Sequence, residues 1–232
     1  MQFFPPLLPG VLIQRYKRFL AEVRLSDGQI VTAHCPNSGS MKSCNIPGNQ
    51  VMLSVHDRPQ RKLKYTWEMI QVNGCWVGIN TNLSPKLVME SIKANQITEL
   101  HGYPDIQTEV RVSAHSRLDL LLSGPAGRCF VEVKNVTFLD GQTARFPDAV
   151  TLRGQKHLNE LIDIVKNGER AVIFFIVQRA DANSFAPADD IDPVYARLLR
   201  KAFDHKVEIL VYQARVHPTE IRITNSLPFR WK

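Results

Sequence analysis

Residues Ser116 to Thr137 read SRLDLLLSGPAGRCFVEVKNVT. The first half alternates, with Leu118, Leu120 and Leu122 on one side and Arg117, Asp119 and Leu121 on the other. The second half opposes Cys129, Val131 and Val133 to Phe130, Glu132 and Lys134. Two period-two runs around Gly124-Pro125-Ala126-Gly127 predict a β-hairpin with a four-residue loop. Closing it with Ser123 opposite Arg128 sets Leu118, Leu120 and Leu122 against Val133, Val131 and Cys129 on a buried face. The same register sets Asp119 beside Glu132 and Arg117 beside Lys134 on the other face.

Carboxylates directly opposite on a sheet stand about 5 Å apart and repel, so something must offset the repulsion. A divalent cation does so: Mg²⁺, or Mn²⁺ in its place, takes one or two carboxylates and keeps several waters. Lys134, two residues beyond Glu132, could then stabilise charge on a phosphate. The plainer alternative is a charged outer face on which Arg117 and Lys134 neutralise the acids diagonally. The tripeptide alone decides nothing, because Asp204-His205-Lys206 repeats the acid-x-Lys spacing where a helix gives way to a strand.

The surrounding chain has the composition of a globular protein. No apolar run approaches the roughly 20 residues of a membrane span. The start, Met1-Gln2-Phe3-Phe4-Pro5-Pro6, lacks the basic and apolar regions of a signal peptide. Cys35, Cys44, Cys75 and Cys129 form no C-x-x-C pair, so the expectation is reduced thiols, no zinc and a cytoplasmic location. The net charge of +7 is uneven: residues 1–82 carry nine Lys/Arg against four Asp/Glu, residues 83–232 twenty against eighteen. A basic N-terminal third points to a polyanion, DNA or RNA rather than a membrane surface.

Residues 10–82 read as five strands: Val11–Leu25, Gln29–His34, Gln50–His56, Lys64–Val72 and Cys75–Asn80, the last two joined by Asn73-Gly74. This suits a small barrel of the oligonucleotide-binding (OB) type, with an SH3-like barrel or an open sheet as alternatives. Arg15, Lys17 and Arg18 beside Tyr16 and Phe19, and Arg58, Arg61, Lys62 and Lys64 beside Tyr65 and Trp67, are candidates for nucleic-acid binding. Phe19 and Trp67 themselves read first as core. Cys35–Met41 reads as a loop that could also form a nest of backbone N–H groups around an anion.

From residue 83 the order is helix, strand, hairpin, helix, buried strand, helix, strand, a mixed α/β domain with helices on both sheet faces. Ser84-Pro85 predicts a helix N-cap and first turn, with Leu87, Val88 and Ile92 inward and Glu90 to one side. A strand over 105–113 carries Glu109, and Thr137–Phe146 reads as a loop over the acids. A helix follows Phe146-Pro147-Asp148-Ala149 and ends before Gly168, with Arg153, Gln155, Lys156 and His157 near its start as further candidates for a phosphate backbone. Ala171–Val177 reads as a strand buried on both faces. Asp192-Pro193 opens the last helix, and Val207–Tyr212 is the last strand.

Asp119 on one strand with Glu132-Val133-Lys134 on the next, in that order of elements, resembles the PD-(D/E)xK nuclease superfamily. Further motifs are Arg15–Ala21, His34-Cys35-Pro36-Asn37, Ser116-Arg117-Leu118-Asp119, Phe146-Pro147-Asp148-Ala149 and Arg153-Gly154-Gln155-Lys156-His157. Together they resemble the sugar fermentation stimulation protein A family. That resemblance implies an OB-like domain over 1–82 and a nuclease-like α/β domain over 83–232. It implies DNA binding without sequence readout and a regulatory role in sugar (maltose) metabolism. By the same resemblance Asp119 and Glu132 ligate metal, Lys134 serves the hydrolytic water, and Glu90, with Glu109 as competitor, adds a further acid. Leu118 stands where the superfamily keeps proline. The rival reading is a working Mg²⁺-dependent nuclease on DNA or RNA. No helix-turn-helix pattern and no sugar pocket are evident.

Overall fold

The computed structural model describes residues 1–57, 60–113 and 116–231. The N-terminal unit is a barrel of β1 (Leu8–Tyr16), β2 (Leu20–Leu25), β3 (Ile30–His34), β4 (Gln50–Val55) and β5 (Tyr65–Val72). Strand β1 pairs antiparallel with both β2 and β4, and β4 with β5. Parallel pairing of Ala33 with Tyr65 and His34 with Thr66 closes the barrel. Strand β6 (Cys75–Gly78) extends β5 through Asn73 and Gly74, both with positive φ, as a tight hairpin requires. The expected first strand is therefore two: Lys17 and Arg18 adopt φ of 45° and 64° and fold it back on itself. No Gly, Pro, Asn or Asp marks that turn, which is why period-two reading ran through it.

Trp67 is fully buried in the barrel, its indole N–H donating to the Met69 carbonyl. Phe19, by contrast, is 45% exposed at the β1–β2 tip, so its reading as core is corrected. Met52 and Met69 leave the barrel interior and join a core of the second domain.

That domain is built on a mixed six-stranded sheet. Its members are β7 (Asp105–Ser113), β8 (Ser116–Gly124), β9 (Gly127–Val136), β12 (Arg170–Val177), β14 (Glu208–His217) and β15 (Glu220–Ser226). Across the sheet they run β15-β14-β12-β9-β8-β7, with β12 parallel to both β9 and β14. Helix α1 (Ser84–Lys93) packs Leu87, Val88 and Ile92 on one face, while α2 (Leu152–Lys166) and α3 (Pro193–Asp204) cover the other. Ser84 is not the expected cap of α1; its hydroxyl instead accepts from Gln178 at 3.0 Å. Thr151 and Asp192 do cap α2 and α3. The segment expected as a loop is a hairpin, β10 (Phe138–Asp140) and β11 (Thr143–Phe146), completed by β13 (Ser184–Pro187). Its two-residue turn is Gly141-Gln142, with Gly141 at φ 59°, and a glycine at the first turn position is a hairpin signal in its own right. Among the described residues no helix is long and apolar enough to cross a membrane.

Candidate active site

The hairpin register is the expected one: Gly124 pairs with Gly127, Ser123 with Arg128, Leu122 with Cys129 and Leu120 with Val131, leaving a two-residue turn rather than four. At Asp119 the ladder gives way, and the Asp119 Oδ2 accepts the Val133 N–H at 2.7 Å. Opposite, on β7, Glu109 takes a left-handed backbone, φ 54°, between the pairs Thr108–Leu120 and Val110–Leu118. Side-chain alternation breaks there. Leu118 enters the core beneath α2 and α3, while Leu120 and Leu122 pack beneath α1.

The alternative of a charged outer face fails on burial. Glu132 is only 3% exposed, because α2 lies over it. Its Oε1 accepts from Lys134 Nζ at 2.5 Å and from His157 Nδ1. To donate to a carboxylate, Nδ1 must carry its proton, so its 3.4 Å approach to Lys134 Nζ adds no further hydrogen bond. The other oxygen, Glu132 Oε2, is buried with no partner among the described residues. Burial pushes the Glu132 carboxyl up, but Lys134 and His157 outweigh it and hold the group below the usual carboxylate range. Burial, then the Glu132 charge, push Asp119 up to about 7, and Glu109 adds to that rise. One acid thus stays ionised while its neighbour titrates near neutrality.

These groups lie in a cleft of about 630 Å³ between barrel and sheet. Glu109, Asp119, Glu132 and Lys134 line it from the sheet, Arg18 and Ser38-Gly39 from the barrel, and Arg145, Asp148 and Arg153 from the segment that runs into α2. The barrel wall is fixed by Arg15, whose guanidinium donates to the carbonyls of Arg18, Asn37, Gly39 and Ser40 at 2.8–3.2 Å. Asp148 then fastens this loop to the second domain: its Oδ2 accepts the Met41 N–H (2.8 Å) and its carbonyl the Ser40 hydroxyl (2.6 Å). A Cβ on Gly39 would stand 2.3 Å from the Asp148 carboxylate, so only glycine permits the approach. The loop reading of Cys35–Met41 therefore stands, and the one anionic group among the described residues that meets a backbone N–H of it is the protein's own Asp148, at Met41.

The remaining expected site residues divide. Arg18 and Arg153 line the cleft, and Lys17 is exposed at the hairpin tip. Arg15 is occupied by the loop carbonyls, and Gln155 donates to Asp192. Lys156 stands 3.8 Å from Glu160 and outside the cleft lining. His157 is buried against Glu132, which places it in the acidic cluster rather than on a phosphate-facing surface. Arg61 donates to Thr66, Lys62 and Lys64 are exposed, and these three do not line the cleft; Arg58 lies outside the described residues. Arg117 is exposed and paired across the ladder with Arg111. Glu90 is set apart: α1 covers the sheet face opposite the acids, and Glu90 meets the Met1 amino group at 3.4 Å and Lys86 at 3.8 Å. Glu109 lines the cleft and Glu90 does not.

Sequence reading missed Arg145 and Tyr195. Arg145 is buried and ion-paired to Asp140, Asp189 and Asp190. The Tyr195 hydroxyl, in the same core as α2, is buried without a partner among the described residues. Neither carries a local signal, since each depends on which elements pack behind β9.

Among the described residues no group of three or more His, Cys, Asp or Glu is placed to hold a metal. The pair present still fits a hard cation, which takes oxygen donors and completes its shell with water. The unpartnered Glu132 Oε2 is the acceptor such an ion would satisfy.

Family comparison agrees with this architecture. Residues 13–79 match the SfsA N-terminal OB domain, and residues 82–220 match the sugar fermentation stimulation protein RE domain. A sugar fermentation stimulation protein homolog of Geobacter sulfurreducens is 60% identical over 96% of each chain. One of Pelobacter propionicus is 58% identical over 97% of each. The solved structure of Pyrococcus furiosus SfsA in complex with Ca²⁺ superposes with a TM-score of 0.91 at 31% identity, covering 99% of this chain and 98% of that one. With both domains matched and relatives aligned almost end to end, the chain belongs to the sugar fermentation stimulation protein (SfsA) family.

Proposed function

We propose that this protein binds nucleic acid in the cleft and hydrolyses its phosphodiester bonds with a divalent cation held by Asp119 and Glu132. The carrying observation is the buried, unpartnered Oε2 of an ionised Glu132 beside a second carboxylate in an open cleft. A module that only gripped phosphates would gain nothing from two acids where the phosphate must sit, because like charges repel. The Ca²⁺ complex of the Pyrococcus furiosus protein, similar over nearly its full length, supports a divalent ion as a ligand of this fold.

The cation, when bound, lowers the pKa of a water and neutralises charge on the phosphate. The chain's own residues do the rest. Lys134 and His157 occupy Oε1, so Glu132 offers Oε2 in a fixed direction. Asp119 is held by the Val133 N–H. The Lys134 ammonium, in the cleft floor, faces the negative charge that grows on the phosphate as water oxygen bonds to phosphorus. The P–O bond to the leaving sugar then breaks, and that oxygen takes up the proton released by the water. Arg18 and Arg153, both in the cleft lining, hold flanking phosphates.

The test is titration of Ca²⁺ and Mn²⁺ into wild type and Asp119→Ala, with labelled DNA and RNA cleavage followed in Mn²⁺. Cation uptake and cutting by wild type alone is the expected result. No uptake and no cutting, with salt-sensitive retention of DNA, would overturn it and leave the DNA-binding regulatory reading, which uses the same arginines and lysines without the chemistry.

A further inference from the structure

The shape of the cleft bears on which nucleic acid can reach the acids. Glu132 is 3% exposed beneath α2, and the Lys134 side chain 13%. The reacting phosphate must therefore be brought down to the floor. The space above is about 630 Å³, the size of a site that encloses one small molecule. That takes a nucleotide or two of a strand able to bend down to the floor, whereas a duplex, whose grooves alone are about 6 and 12 Å wide, cannot enter it whole.

The cleft cannot open cheaply to admit more. Its barrel wall, residues 37–40, is held by three hydrogen bonds from Arg15 and one from Arg18, and Ser40 and Met41 donate one each to Asp148 across the domain boundary. Its two lips carry cations next to exposed apolar side chains. On the barrel lip the Arg18 guanidinium lies 5.9 Å from the ring centroid of Phe19, which is 45% exposed. On the segment leading into α2, Val150 in the cleft lining is 64% exposed and Leu152, next to Arg153 in sequence, is 75% exposed. Exposed ring and aliphatic surface beside arginine suits unstacked bases with their phosphates, and offers nothing to bases already stacked in a duplex.

We infer that the cleft takes an unpaired strand, with Phe19 stacking a base on the entry lip, and that duplex is handled only where its ends fray. This rests on the hydrolytic reading of the floor, but its binding half is separable from it. The experiment uses the full chain and one labelled oligonucleotide, single-stranded or annealed into a blunt GC-clamped duplex. Affinity is read by fluorescence anisotropy in Ca²⁺ and cutting by gel in Mn²⁺. Tighter binding of the strand, by tenfold or more, is expected, with cutting confined to it. Phe19→Ala should weaken strand binding by about tenfold with an unchanged melting temperature, and Phe19→Tyr should restore it. Equal affinity for strand and duplex, or indifference to Phe19→Ala, overturns the inference even if both substrates are cut. Strand preference without any cutting sustains it and overturns the hydrolytic reading instead.

Discussion

Asp119→Asn is expected to stabilise the cation-free protein at about pH 8 while abolishing its response to divalent ions. The Asp119 carboxyl titrates at about 7 against an unfolded value of 3.8, so ionising it in the folded state costs up to about 4 kcal/mol. Because the side chain lines an open cleft, screening reduces this, and ~3 kcal/mol is a fair working figure. The sign follows from proton binding. Between about pH 4 and pH 7 the folded state holds more protons than the unfolded one, so stability falls as pH rises and the loss is complete above 7. Asparagine removes the charge and keeps an oxygen to accept the Val133 N–H. The melting temperature in chelator should therefore rise by roughly 6–12 °C at pH 8 and hardly change at pH 4. Added Ca²⁺ should raise wild type toward the variant and leave the variant where it was. The assay is a set of thermal melts by circular dichroism across that pH range. A variant melting at or below wild type at pH 8 in chelator would refute the strained-carboxylate account.

Lys134→Met should retain or tighten Ca²⁺ binding by calorimetry, since it strips a competing cation from Glu132, yet lose cleavage by at least a hundredfold. His157→Ala should weaken Ca²⁺ about tenfold, and His157→Gln, which keeps an N–H donor, should recover most of it in the same titration. Arg15→Met should lower the melting temperature without changing the salt dependence of DNA affinity, because its guanidinium serves four carbonyls. Arg153→Ala should flatten that log–log slope by about 0.9 on duplex contacts and about 0.7 on single strand. Glu90→Gln, which lies on the far face, should match wild type in both cation titration and cleavage.

Much of the site was legible because β8 and β9 are local. A period of two and one short turn set the register from Leu120–Val131 to the turn, and that register brings Asp119 alongside Glu132-Val133 although the ladder itself ends one residue short of it. The barrel and the buried strand β12 were legible for the same reason: runs of apolar residues between turn signals. What escaped depends on packing between elements. His157 is one polar residue among several in the first turns of α2, and only the placement of α2 over β9 turns it onto Glu132. Glu90 and Glu109 were competing acids on flanking elements, and the choice turned on which sheet face α1 covers. Arg15 reads like any basic residue until its carbonyl partners, more than 20 positions along, are known. The β1–β2 turn failed for a different cause, since Lys17 and Arg18 adopt positive φ without any residue type that favours it.

The barrel closes through just two pairs, Ala33 with Tyr65 and His34 with Thr66, whereas β1–β2 and β2–β3 are joined along most of their length. Local opening begins where the fewest hydrogen bonds must break together, so this seam sets the lowest-energy fluctuation of the barrel. Amide hydrogens of His34 and Tyr65 should exchange ahead of those at Val23 or Met69, which sit inside longer ladders. Strand β3 runs directly from that seam into Cys35, whose N–H donates to the Phe19 carbonyl, and on into residues 37–40. The seam and the cleft wall therefore share one short stretch of chain, so a breath of the barrel reaches residues 37–40 first.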